Sequence, residues 1–203
     1  MTVDLYWLPL GAGGNRCVPW SGRRFEAIMA RRERRAPADL YHSALEVRLS
    51  GELFTIEMAP VWSLAEPADR GVVGEGPVGL PRLGRSRLFR YEVRRWRNGR
   101  IPDLATAVGG PRRLSGDPPR ARRLLGLVPH VPLVTWGRDE LRTGEMWNSN
   151  SLIAWLLASS GHPAQEPPPP GRAPGGAAGV VLAARQAQRC HSGPGPAWRA
   201  CER

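Results

Sequence analysis

The chain contains no lysine. All 29 of its basic residues are arginine, set against 18 acidic ones, giving a net charge of +11 over 203 residues. A charge of that size ordinarily raises nucleic acid as a partner. Here the arginines are scattered, with short clusters at 31–35 and 120–123, and alanine, glycine and proline abound. That pattern fits coding bias toward GC-rich codons, whereas phosphate binding needs basic charge concentrated in one patch. A solvated basic surface is the expectation, with Arg-driven nucleic-acid binding kept as a further and less favoured alternative. Cysteine is scarce: Cys17, Cys190 and Cys201 are odd in number and lack metal-ligand or redox spacing, so no disulfide framework and no zinc site is implied. No apolar run is long enough to cross a bilayer. The start, Met1 to Trp7, lacks the basic and apolar regions of a secretion signal. A cytoplasmic protein is expected, with no cofactor.

What is present suggests one domain with appendages, long enough to bury a sizeable core. Val3 to Leu10 reads as a buried strand ended by a glycine turn at 11–14, and Phe25 to Arg35 as a short Arg-faced helix. The turn lacks the Lys-Ser/Thr of a phosphate loop and the spacing of a dinucleotide loop. Leu40 to Leu49 and Leu53 to Met58 read as two strands joined through Ser50-Gly51-Glu52. The two-residue period places His42, Ala44, Glu46 and Arg48 on one face, and Leu53, Thr55 and Glu57 on one face of the return strand. Residues 69–87, rich in glycine and proline, read as a long loop. Leu88 to Trp96 alternates Phe89, Tyr91 and Val93 with Arg90, Glu92 and Arg94, a half-buried strand with a charged outer face. Asp103 to Val108 reads as a short helical piece. Asp117-Pro118 opens a helix running to Leu125, and Val131 to Trp136 reads as a strand or an extended run.

Asn148 or Ser149 caps a buried helix through Leu157, and Gly161 suits its left-handed C-terminus. Thereafter 163–176 reads as a Pro/Gly-rich linker, 177–185 as a final apolar strand and 186–203 as a disordered tail. Residues 1–162 form the domain, of α+β class: an antiparallel, partly barrel-like sheet packed on the buried helix.

A small hydroxyl at a buried helix start sits beside free N–H groups and the positive end of the dipole, a suitable place for a nucleophile. Of the four histidines, His42 stands out because Glu57 lies across the hairpin. A carboxylate there can hold one imidazole nitrogen and leave the other free as a base. Glu46 shares the face of His42 but lies about 13 Å along the strand.

Tyr41-His42-Ser43-Ala44-Leu45-Glu46-Val47 followed by a hairpin resembles the histidine strand of circularly permuted papain-like proteins, including the NlpC-type, lecithin–retinol acyltransferase-like and PPPDE groups. Their nucleophile comes last, in an Asn-Cys motif opening a buried helix. Trp147-Asn148-Ser149-Asn150-Ser151-Leu152 is similar to that motif, with Ser149 where the family has cysteine. The resemblance covers roughly residues 40–160. It implies Ser149 as nucleophile, His42 as base and Glu57 as its orienter, acting on a peptide, isopeptide or acyl substrate. Trp147, Asn148, Asn150 and Tyr41 would wall or support the site. A thiolate attacks without waiting for a base, whereas a serine hydroxyl must be deprotonated during attack. Three readings therefore stand: a Ser-His-Glu hydrolase or acyltransferase, a degenerate site kept for binding, and a scaffold with chance likeness. Cys17 offers a separate nucleophile, although Pro19 holds Val18 extended and makes a poor helix start.

Overall fold

The computed structural model describes residues 1–10, 27, 31, 34, 36, 37, 39–61, 69–101, 104–164, 171 and 173–192. Six antiparallel strands form one sheet: β1 (Thr2–Pro9), β2 (Tyr41–Leu49), β3 (Glu52–Pro60), β4 (Val72–Pro77), β5 (Arg90–Arg97) and β6 (Arg112–Ser115). Their spatial order is β4-β5-β3-β2-β1-β6. The sheet is open rather than barrel-like, because the strands at its two ends, β4 and β6, do not pair with each other. Among the described residues three α-helices of defined span accompany it: α1 (Pro118–Leu127), α2 (Ser149–Ser160) and α3 (Gly176–Ser192). The expected α+β class is thus observed.

The β2–β3 hairpin turns at Ser50 and Gly51, both with positive φ, a twist that matches paired strands. Alternation then sorts the sheet into two faces. Val3, Leu5, Leu45, Val47, Ile56 and Val93 point toward the helices and join Leu124, Leu152, Leu156 and Leu157 in one core. The α2 helix is buried from Ser149 to Leu157, because it lies between the sheet and α3. A helix in that middle layer has no wet side, which accounts for its nearly all-apolar run.

The opposite face is polar and yet also buried. Glu57, Glu92 and Arg94 lie there under 0–5% exposure. Arg94 bonds Glu57 through Nη1 at 2.8 Å and Glu92 through Nε at 2.5 Å, and Arg70 grips Glu92 with two nitrogens at 2.5 and 2.7 Å. Charge leaves water only when paired and hydrogen-bonded, and this layer meets that condition. The expectation that β5 shows a charged face to solvent is therefore corrected. Beside the ions, Tyr6, Leu8, Ala44 and Ile101 form a small apolar cluster.

Three other expectations are corrected. The stretch 69–87 contains β4, an edge strand written in glycine and proline. At Gly76 any side chain would collide with the Tyr91 ring, so the strand is shaped by its neighbour and carries no hydrophobic period. Residues 177–185 are helical, not a strand. A Cβ at Gly179 would strike the carbonyl oxygen of Ser151 and the amide nitrogen of Trp155. The apolar, glycine-containing run thus serves close helix packing, and α3 carries regular structure to Ser192, beyond the expected start of a tail. The short edge strand β6 was not expected at all. Val131 to Trp136 is an extended run, touching the sheet by one bridge between Val78 and Trp136. The glycine turn at 11–14, Cys17, nearly all of the 25–35 helix and residues 193–203 lie outside the described residues.

Candidate functional site

Asn148 caps α2 in an extended conformation. Its Oδ1 accepts from the backbone N–H groups of Asn150 at 2.9 Å and Ser151 at 3.1 Å. Ser151 Oγ in turn accepts from the Asn148 N–H at 3.1 Å, completing a reciprocal capping box. Asn148 Nδ2 donates to the Pro174 carbonyl at 2.7 Å, tying the helix start to the segment that leads into α3.

Asn150 fastens the same helix to β2. Its Nδ2 donates to the Tyr41 carbonyl at 3.0 Å and to the Pro174 carbonyl at 3.0 Å, and its Oδ1 accepts from Ser43 Oγ at 2.9 Å. The sequence expectation that the histidine strand and the serine helix meet is therefore met at the level of elements. The side chains that meet are Ser43 and Asn150, each one position on from His42 and Ser149.

That offset decides the chemistry. Ser43 points to the helix face with Leu45, so His42 points to the opposite face. Its β1 partner is Leu8, which belongs to the small apolar cluster of that second face. Ser149 opens the helix on the other side of the sheet. The structure does not bring His42 and Ser149 together: the sheet stands between them. His42 is half-buried, and loss of hydration pushes its imidazole down to about 4. Among the described residues its ring has no hydrogen-bond partner, and neither has Ser149 Oγ.

Glu57 shares the face of His42 but does not orient it. The β2–β3 register runs from Leu49↔Glu52 to Leu45↔Ile56. Continued, it sets Ala44 rather than His42 across from Glu57. The Glu57 carboxylate is engaged by Arg94 at 2.8 Å. Glu46, the alternative orienter, accepts from the Tyr6 hydroxyl at 3.1 Å and from Arg48 at 3.4 Å. Burial, with Glu46 beside it, pushes the Tyr6 hydroxyl up to about 12.

The supporting residues fall inside the core. Trp147 is buried, and among the described residues its indole N–H meets no acceptor at full hydrogen-bond geometry. The Tyr41 ring belongs to the helix-side core. Another histidine, His162, lies just past the far end of α2, where its Nδ1 meets Ser160 Oγ at 2.8 Å. Burial and nearby Arg120 hold His162 below its ordinary value. No group of three His, Cys, Asp or Glu among the described residues could hold a metal ion.

Two features escaped the sequence reading. One is the Glu57–Arg94–Glu92–Arg70 ion network, because a strand with alternating charge reads as solvent-facing. The other is the β4–β5 connection, residues 80–89, where Leu80, Leu83, Leu88 and Phe89 stand exposed among arginines. Its alternation of Arg with Leu or Phe was the available signal. A cavity of ≈ 360 Å³ lies between this connection and β4, lined by Glu75, Pro77, Pro81, Arg85 and Arg90 among others. Glu75 and Arg90 are paired with each other across it at 3.1 Å.

No helix among the described residues is long and apolar enough to cross a membrane. No family model matches the chain, and no curated protein or solved structure matches it either.

Proposed function

We propose that this chain is a non-catalytic binding module, built on a plan akin to permuted papain-like proteins and lacking their acyl chemistry. One observation carries the reading: the strand and helix that would present base and nucleophile meet instead through Ser43 and Asn150. A serine hydroxyl needs a base within hydrogen-bond reach, about 2.6–3.2 Å or one water away. Among the described residues Ser149 Oγ has no such partner: His42 lies beyond the sheet and His162 follows the other end of α2. Two of the N–H groups at the helix start, those of Asn150 and Ser151, are held by Asn148 Oδ1 and so withdrawn from steadying an oxyanion. Kinship with papain-like proteins rests on the order of strand, hairpin and buried helix, and on the junction between β2 and α2.

The test is a fluorophosphonate probe, which labels activated serines. The expected result is no labelling of the intact chain. Labelling at Ser149 that disappears in His42→Ala would overturn the reading and restore the hydrolase or acyltransferase.

A further inference from the structure

The β4–β5 connection is built unlike the rest of the surface. It runs Leu80-Pro81-Arg82-Leu83-Gly84-Arg85-Ser86-Arg87-Leu88-Phe89 through two short 3-10 turns, 81–85 and 87–89. Nine of its ten residues are exposed, and only Gly84 is half-buried. It forms an exposed lobe beside the edge strand β4. Leu80 is 51% exposed, Leu83 38%, Leu88 67% and Phe89 42%; the other described large apolar residues that stand out are Met1, Val72 and Leu133.

The lobe is nonetheless held in shape. Arg90 Nε donates to the Gly84 carbonyl at 2.5 Å, and Arg90 Nη1 pairs with Glu75 at 3.1 Å. Within the turns, backbone bonds join Leu83 to Leu80, Ser86 to Leu83 and Phe89 to Ser86. Exposed leucines on a fixed lobe are therefore a standing cost in water, of the kind that marks an interaction surface.

Charge narrows the partner. Arg82, Arg85 and Arg87 are exposed among the leucines. No acidic residue occurs between Glu75 and Glu92, and both of those are committed to arginines. Exposed apolar side chains interspersed with arginine suit the headgroup–acyl boundary of an anionic bilayer, where each basic residue near the surface adds about 1 kcal/mol. We propose that this lobe docks the chain on anionic phospholipid membrane, with Leu83, Leu88 and Phe89 entering the interface and Arg82, Arg85 and Arg87 meeting the phosphates. The lobe belongs to the β4–β5 edge of the sheet and not to the β2–α2 junction, so this docking surface goes beyond the reading above.

The experiment is co-sedimentation of the full chain with vesicles of phosphatidylcholine alone and of phosphatidylcholine mixed with phosphatidylserine. Binding to the mixed vesicles only is expected. The Leu88→Ser/Phe89→Ser double variant should bind at least about tenfold more weakly, the loss that one partly buried apolar side chain would account for. The Arg82→Gln/Arg85→Gln/Arg87→Gln triple variant should lose a similar amount or more. A triple variant at Arg48, Arg122 and Arg123 removes the same charge elsewhere and should keep most of the affinity. Equal loss in both triples, or undiminished binding by the Leu88/Phe89 variant, overturns the proposal. So does binding confined to nucleic acid, weakened by the arginine changes and untouched by the apolar ones. Circular dichroism on each variant separates lost docking from lost fold. Serine labelling by fluorophosphonate would sink the non-catalytic reading while leaving the vesicle result to stand or fall alone.

Discussion

Ser43 Oγ donates to Asn150 Oδ1 at 2.9 Å, joining two residues 107 positions apart in the chain. Both are buried. The bond sits at the junction of sheet, central helix and the segment leading into α3, since Asn150 also holds the Tyr41 and Pro174 carbonyls. Asn150→Ala takes the acceptor from the buried Ser43 hydroxyl and one donor each from the Tyr41 and Pro174 carbonyls, the latter still held by Asn148 Nδ2. It should cost roughly 2–4 kcal/mol, several unmet hydrogen bonds' worth, whereas Ser43→Ala should cost about 1 kcal/mol. A double-mutant cycle read by urea unfolding should give a coupling of roughly 0.5–3 kcal/mol. Strict additivity would show that the bond does not form.

The cap and its neighbour should behave differently. Asn148→Ala removes the acceptor for two backbone N–H groups and should destabilise by about 1–2 kcal/mol. Ser149→Ala removes a hydroxyl without a partner among the described residues and should shift stability by about 0.5 kcal/mol or less. Thermal melts of the two variants check this; a Ser149→Ala effect as large as that of Asn148→Ala would contradict it.

Arg94 is placed between two buried carboxylates. Arg94→Met strands Glu57 and Glu92 without that cation and should cost about 3–5 kcal/mol. Replacing Arg94, Glu57 and Glu92 together by apolar residues of similar size should cost less than the single change. Denaturant midpoints of the two proteins decide the order.

His42 gives a pH signature with a defined sign. In the folded chain burial holds it at about 4, against roughly 6.5 when unfolded. Between those values the unfolded chain binds a proton that the folded chain refuses. The stabilisation is therefore full above pH ~6.5 and is lost as pH falls toward 4, on the order of 2 kcal/mol after allowance for residual exposure. His42→Leu should lose less stability than the natural chain between pH 7 and 4.5, measured by urea unfolding at both values. Equal losses would mean that the ring ionises freely in the fold.

The α2–α3 contact is close enough that the glycine at its centre should not be replaceable. Gly179→Val places a branched side chain against the Ser151 carbonyl and the Trp155 amide. It should part the two helices and cost at least about 1–3 kcal/mol, while Ala177→Val on the exposed side should be nearly neutral. Comparison of their melting temperatures tests the contact.

Local signals made much of the fold legible. An apolar run marked β1, alternation marked β5, Ser50-Gly51 marked the β2–β3 hairpin, and the Asn148 and Gly161 caps bounded α2. The failures share a cause: the information lies in a partner and not in the segment itself. The β4 strand is spelled in glycines whose reason is the Tyr91 ring. The apolar run at 177–185 suits strand or helix until Trp155 and Ser151 demand a bare backbone beside them. Alternating charge in β5 looks wet until Arg70 and Glu57 arrive from elsewhere. At the candidate site the two distant pieces of chain were paired correctly and misphased by one residue on each. In a strand that single step exchanges the two faces, so Ser43 arrives where His42 was expected.

The sheet has an oily side and an ionic side, and both are dry. Were β5 to slip by one residue against β3, Val93 would enter the ionic layer while Glu92 and Arg94 were thrust among leucines. An ordinary half-wet sheet loses only its greasy contacts when strands mispair, because the other side meets solvent either way. Here each side rejects the other's residues, so the layer of buried charge acts as a proofreader of strand alignment while the chain folds.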